Sequence, residues 1–442
     1  MKGIKLRMKK NRKYPYYIVA TFIMTAISAS VFGQEPTKDS LSYYLSVAME
    51  NNPGIKSQKL AHEAYLQKVP QAGAFDDPEL STDFYVKPMD VVGGRSIANL
   101  SLMQMFPWFG ARKAARVEAN HMANVQDQQY RAAVDELILQ VSVQWYEMQK
   151  LNEQLHNNEE NRKLLENLEQ LATRKFSATS TSRANDAPGM SEVLRIQLEL
   201  AEIENNIESL YAQIKTEKAK FNALLNREPS EEVNVGKEIS KVAFLFGEEE
   251  VLTAMTAYNP TLEMIAEEGL AYKAKAEKDK KKSYPMIGLG VQYMVLGKTS
   301  NPMLGMGDMN GQDMIMPMVS VTLPVFRNKY NAQQRESELW RASSDEQFEN
   351  TLNRLKSDYY GYKNQLDDAE RMVELYEKQT ALARTTYNLI VKEFVTGKSD
   401  LTNVIQVQRQ LLDYQLKNAE AIADYNIMVA SIQKLLSFTG NK

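Results

Sequence analysis

Phe106-Pro107-Trp108-Phe109 ends an alternating, strand-like run and opens a long helical one, and Leu323-Pro324-Val325-Phe326 does the same 217 residues later. Working outward from this pair, Asn51-Asn52-Pro53 is answered by Asn259-Pro260, and Trp145-Tyr146 by Tyr359-Tyr360. Gly189-Met190-Ser191-Glu192-Val193-Leu194 is answered by Gly397-Lys398-Ser399-Asp400-Leu401, and Leu224-Leu225-Asn226 by Leu435-Leu436-Ser437. The offsets stay between 207 and 217 residues, so the chain is a tandem repeat whose unit is mostly long helix. Such a unit implies an elongated, pseudo-symmetric object.

After Phe109, residues 112–175 contain neither proline nor glycine and are rich in Ala, Glu, Gln, Leu, Lys and Arg. Residues 328–395 form the counterpart, interrupted only by Gly361. Each stretch makes a helix roughly 100 Å long, too long for one globular core. Apolar residues recur three and four apart, as in Leu137, Val141, Trp145, Met148, Leu151 and Leu155, which is the narrow seam of a coiled coil. Shorter helical stretches at 40–72 and 189–226, then at 248–283 and 399–437, lie in line against each long helix. The long helices reverse at 177–188 and at Thr396-Gly397-Lys398, where Gly397 suits a left-handed turn and Ser399 stands where a helix cap belongs.

The 442 residues include no cysteine, which excludes disulfides, thiolate metal sites and a cysteine nucleophile. Lys2, Lys5, Arg7, Lys9, Lys10, Arg12 and Lys13 precede an apolar run to Ile27 and small residues up to Gly33, the pattern of a secretory signal peptide over residues 1–33. Its removal takes the formal charge from −3 to −10, a poor balance for nucleic-acid binding. The division that follows is a first repeat over 34–236, with strands at about 78–106, and a second over 237–442, with strands at about 285–324.

Those strands alternate with a period of two. Ile287, Leu289, Val291, Tyr293 and Val295 oppose Gly288, Gly290, Gln292 and Met294, while Ile315, Val319, Val321 and Leu323 oppose Met314, Met316, Met318 and Ser320. In the first half Leu80, Thr82, Phe84 and Val86 alternate with Ser81, Asp83, Tyr85 and Lys87, and Ala98, Leu100 and Leu102 with Asn99 and Ser101. Runs near ten residues with this alternation read as membrane β-strands, with Phe106, Trp108 and Phe109 as an aromatic belt. A soluble sheet capping a helical bundle would share the pattern. Four strands cannot close a barrel alone and lipid admits no open edge, so three chains sharing twelve strands would satisfy both limits.

Two local patterns carry a family resemblance: Pro107-Trp108-Phe109-Gly110-Ala111-Arg112-Lys113, repeated loosely at 324–329, and the turn from Phe394 through Gly397 to Gln406. With the duplicated order over residues 40–438, the chain resembles the TolC-like outer-membrane efflux family, the exit ducts of tripartite pumps and type I secretion systems. The resemblance implies a mainly α fold: duplicated long-helix coiled-coil repeats forming a trimeric α-barrel, capped by a shared twelve-stranded membrane β-barrel. It implies a bacterial outer-membrane location with the helical tunnel in the periplasm. The implied partners are a periplasmic adaptor and an inner-membrane pump, docked at tips made by Gly189, Met190 and Ser191 and by Gly397, Lys398 and Ser399. Some members place acidic residues six and nine positions after the tip glycine; here Asn403 and Gln406 occupy that periplasmic constriction.

No catalytic constellation and no cofactor motif stands out. Gly297-Lys298-Thr299 lacks the upstream glycine of a phosphate loop, and His62, His121 and His156 are scattered over polar helical stretches. Methionine is the exception, with eight of 22 between Met286 and Met318. Thioethers favour Cu(I) and, by the same softness, Ag(I). Met314, Met316 and Met318 fall on the polar side of their strand, and Met303, Met306 and Met309 on a Gly-rich loop, as transient metal ligands or as flexible filling. The expected function is a passive efflux duct, with Cu(I)/Ag(I), drugs or secreted proteins as cargo. The rival from another class is a non-conducting structural coiled coil of the envelope.

Overall fold

The computed structural model describes residues 40–179, 189–236, 238–301, 303–304 and 307–437. The segment 1–33 expected to be a signal peptide, Met306 and most of the first tip turn lie outside the described residues. In chain order the elements are α1 (Leu41–Asn51), α2 (Pro53–Ala72), β1 (Glu79–Phe84), β2 (Asp90–Val91), β3 (Gly94–Phe106), α3 (Ala111–Thr179) and α4 (Gly189–Leu224). They continue with α5 (Glu248–Tyr258), α6 (Pro260–Lys282), β4 (Ile287–Gly297), β5 (Met314–Val321), α7 (Arg327–Val395) and α8 (Leu401–Leu436).

The long helices α3 and α7 are each 69 residues, so the duplication holds to the residue in length. Along α3 lie α2 and α6 toward the strands and α4 and α8 toward the tip, while α7 carries α6 and α8. The expected single helices at 40–72 and 248–283 are instead broken in two, because the residue before proline is pushed out of the helical region. Asn52 (ψ 122°) and Asn259 (ψ 119°) are both extended. Each caps the next helix with its side-chain oxygen, to Gly54 N and Ile55 N in one repeat and to Thr261 N in the other.

The same asparagines make the in-line stack. Asn52 Nδ2 donates to Leu224 O at 2.9 Å, joining α4 to α2, and Asn259 Nδ2 donates to Leu435 O at 3.2 Å, joining α8 to α6. The stack is therefore α2 with α4 and α6 with α8, shorter than the long helix beside it. α1 and α5 leave the line, and α1 packs on α3. Tyr44 of α1, Trp145 of α3 and Phe221 of α4 meet there, with centroids 5.2 to 6.2 Å apart. In the second repeat Tyr359, the counterpart of Trp145, is buried with Met255, Val429 and Ile432.

The strands form one antiparallel sheet in the order β1-β3-β4-β5, with two-residue β2 hydrogen-bonded to β3. The central β3–β4 pair joins the two repeats, from Phe106 opposite Ile287 to Arg95 opposite Gly297. Among the described residues β1 and β5 are left as open edges.

Candidate functional site

The sheet has two chemically distinct faces. Leu80, Phe84, Leu100, Leu102, Leu289, Val291, Ile315, Val319 and Val321 all point one way and are all exposed. Nine large apolar side chains on one open surface demand a covering that the described residues do not supply. At the helix end of this band Trp108 stacks on Tyr284 with centroids 5.3 Å apart and meets Phe109 edge-on.

The other face is polar. Ser81 and Ser101 share a 2.7 Å hydrogen bond, and Asn99 donates to Asp83 at 3.1 Å. The register sets Met103, Gly290 and Met318 in one row, Ser101, Gln292 and Met316 in the next, and Asn99, Met294 and Met314 beyond. Met314, Met316 and Met318 are half-buried on this face, while Met303 and Met309 are exposed in the loop. The strands add Met103 and Met105, which the sequence reading did not single out. Their signal was present, since they extend the alternation of Asn99 and Ser101 by two further steps.

At the opposite end, Gly397 has φ +77° and closes α7 with two bonds, Gly397 N to Phe394 O and Lys398 N to Glu393 O. The returning helix α8 is capped by Asp400, which accepts from Asn403 N at 2.9 Å; Ser399, expected to be the cap, instead accepts from Asn403 Nδ2 at 3.4 Å. Asp400 wins because it directly precedes the first helical residue, Leu401. Asn403 and Gln406 are exposed on the first turns of α8. Met190 and Ser191 are exposed where α4 begins at Gly189. Arg195 donates to Thr402 Oγ1 at 2.9 Å, so the two tips are tied to each other, a link between repeats with no mark in the sequence.

Below the tips, α3 and α8 share a seam of buried amides. Asn161 donates to Gln415 at 3.0 Å, Gln408 to Asn161 and Gln415 to Asn157, both at 3.2 Å. Of the histidines, His121 pairs with Glu267 at 2.7 Å between α3 and α6, and His62 Nδ1 lies 3.2 Å from Ala123 O. Among the described residues no group of three His, Cys, Asp or Glu could hold a metal ion, and no helix is long and apolar enough to cross a membrane.

Residues 44–216 match the family model described as outer membrane efflux protein. None of the curated proteins matches the chain. Among solved structures it is similar to the outer-membrane channel OprN, at 13% identity over 90% of this chain and 89% of that one, with a TM-score of 0.71. CusC, described in terms of transmembrane channel formation, gives 13% identity, 92% and 95% coverage and a TM-score of 0.71. The outer membrane protein VceC from Vibrio cholerae gives 14% identity, 90% and 96% coverage and 0.69. These relatives are channels and outer-membrane proteins, and at such identities they show a common fold. The match to the outer membrane efflux protein model covers residues 44–216, and the fold is shared over nine-tenths of the chain with these outer-membrane channels.

Proposed function

We propose that this chain is the outer-membrane exit duct of a tripartite efflux system, passively conducting substrates from the periplasm to the exterior. The observation that carries the reading is the four-stranded sheet with an exposed apolar face and two open edges, set on helices of 69 residues. Lipid covers the apolar face, and the open edges β1 and β5 pair between chains, so three chains close a twelve-stranded barrel. Each chain contributes a first repeat over 34–236 and a second over 237–442, after a signal peptide over 1–33 that directs export.

The helical part then spans the periplasm as a tunnel. Its tips, at Gly189–Ser191 and Gly397–Ser399, dock the adaptor that links the duct to an inner-membrane pump. Asn403 and Gln406 line the constriction beside them, held by packing and hydrogen bonds rather than by a ring of carboxylates. Soft metal ions, Cu(I) or Ag(I), are the proposed cargo class, on the strength of the methionines on the polar face and in the loop. Conductance in a planar bilayer tests the duct: purified protein should open discrete pores, whereas a structural coiled coil would leave the bilayer insulating.

A further inference from the structure

The polar face holds a more specific arrangement than a scatter of methionines. β4 carries Gly288 and Gly290 on that face, and neighbouring side chains occupy the space their missing side chains leave. A Cβ at Gly288 would lie 2.7 Å from Met105 Sδ and 3.1 Å from Met103 Sδ, and would collide with Ser320 Oγ. A Cβ at Gly290 would lie 3.1 Å from the same Met103 sulfur. The two sulfurs are therefore no further apart than the sum of their distances to the Gly288 position. Ser320 Oγ lies 3.7 Å from each of them. Two thioethers and a hydroxyl thus converge over a glycine trough, one bank from the first repeat and the other from the second.

We propose that Met103 and Met105, with Ser320 beside them, form a binding position for a soft monovalent ion, Cu(I) or Ag(I), over the Gly288–Gly290 trough. Two neutral sulfurs suit such an ion and discriminate against hard divalent cations, which prefer oxygen. Met103 and Met105 are only half-buried, so an ion held there can be shared with water and released. The position lies at the helix-proximal end of the strands, so an ion leaving the tunnel meets it first. Met318 stands in the same row as Met103, and beyond it Met316 and Met314 follow along β5 at about 7 Å per step, the repeat of two strand residues. Met303 and Met309 stand past the far end. This deepens the proposed function and rests on it in one respect, that the polar face lines the duct.

The test uses the purified full chain in detergent, titrated with silver nitrate, with silver-edge X-ray absorption reporting sulfur neighbours. The parent should bind silver with sulfur neighbours. M103L/M105L keeps the volume and removes both sulfurs, and should weaken the first silver equivalent roughly tenfold or more. G288A should weaken it too, by placing a methyl between Ser320 and Met105, while M49L on helix α1, away from the sheet, should not. A parent without sulfur-bound silver, or an M103L/M105L protein with parental affinity and sulfur count, overturns the proposal. If G288A does not insert, M103L/M105L still decides. Bilayer conductance on the same preparations separates the two readings: pores without silver binding remove only this site, and silver binding without pores removes only the duct.

Discussion

Arg409 of α8 holds Glu199 of α4 through both arms of its guanidinium, Nε to Oε2 at 2.7 Å and Nη2 to Oε1 at 2.5 Å. Glu202, one turn along, lies 3.7 Å from the same guanidinium. The fork ties the first repeat to the second two turns inside the tip, on the helix that also carries Asn403 and Gln406. A planar fork matched to a carboxylate loses little freedom on pairing, which favours this tie over a single hydrogen bond such as Arg195 to Thr402.

Breaking that fork should loosen the proposed constriction at the tip. Glu199→Gln keeps size and removes charge, at a cost of about 1 kcal/mol for a partly exposed bidentate pair. Resting conductance in a planar bilayer should rise roughly fivefold, the Boltzmann factor of that energy. Unchanged leak would place the closure elsewhere, with the buried Asn157, Asn161, Gln408 and Gln415 seam as the next suspect.

Gly397→Val tests the docking tip. Nothing lies within 4 Å of a Cβ there, so the cost is confined to the left-handed backbone, about 1–2 kcal/mol. Crosslinking to the adaptor and efflux should fall while insertion of the barrel is unaffected. Parental crosslinking in this variant would remove the tip from the docking surface.

Met314, Met316 and Met318 should matter for soft-metal tolerance. Replacing all three with Leu preserves apolar volume. Cells carrying the variant should lose silver or copper tolerance at equal expression, with drug efflux unchanged. Parental silver tolerance would reduce these methionines to packing.

Glu153 of α3 gives a pH signature. Partial burial is the main cause holding its carboxyl above the usual range, and nearby Glu238 adds to the effect while His156 opposes it. Its Oε2 is buried without a hydrogen-bond partner. A carboxyl raised on folding binds more proton in the folded state, so stability falls as pH rises from the ordinary carboxylate value through the raised one. Glu153→Gln should raise the thermal midpoint at neutral pH, and the gain should vanish on acidification below the ordinary value. A gain that persists in acid would trace to packing.

The long helices were legible because helix formers run for more than sixty residues without proline, with Gly361 the one glycine in the second run, and the strands because alternation is strict at Leu289, Val291 and Tyr293. Gly397 announced its turn through conformational freedom alone. The joints were not legible. Asn52 and Asn259 act through carbonyls of Leu224 and Leu435, more than 170 residues away, and local pattern carries no trace of such partners. The same holds for Arg195 with Thr402, and for the meeting of Met103 with Ser320 across two glycines. The cap passed from Ser399 to Asp400 because both residues can cap and only the final register chooses between them.

The central claim is that four strands with two open edges are completed by other copies of the chain. Mass measurement of the detergent-extracted protein, paired with single-channel recording on the same sample, tests it most directly. The account predicts one species of three chains and one pore per trimer. A stable monomer with full β-structure that conducts alone would contradict it.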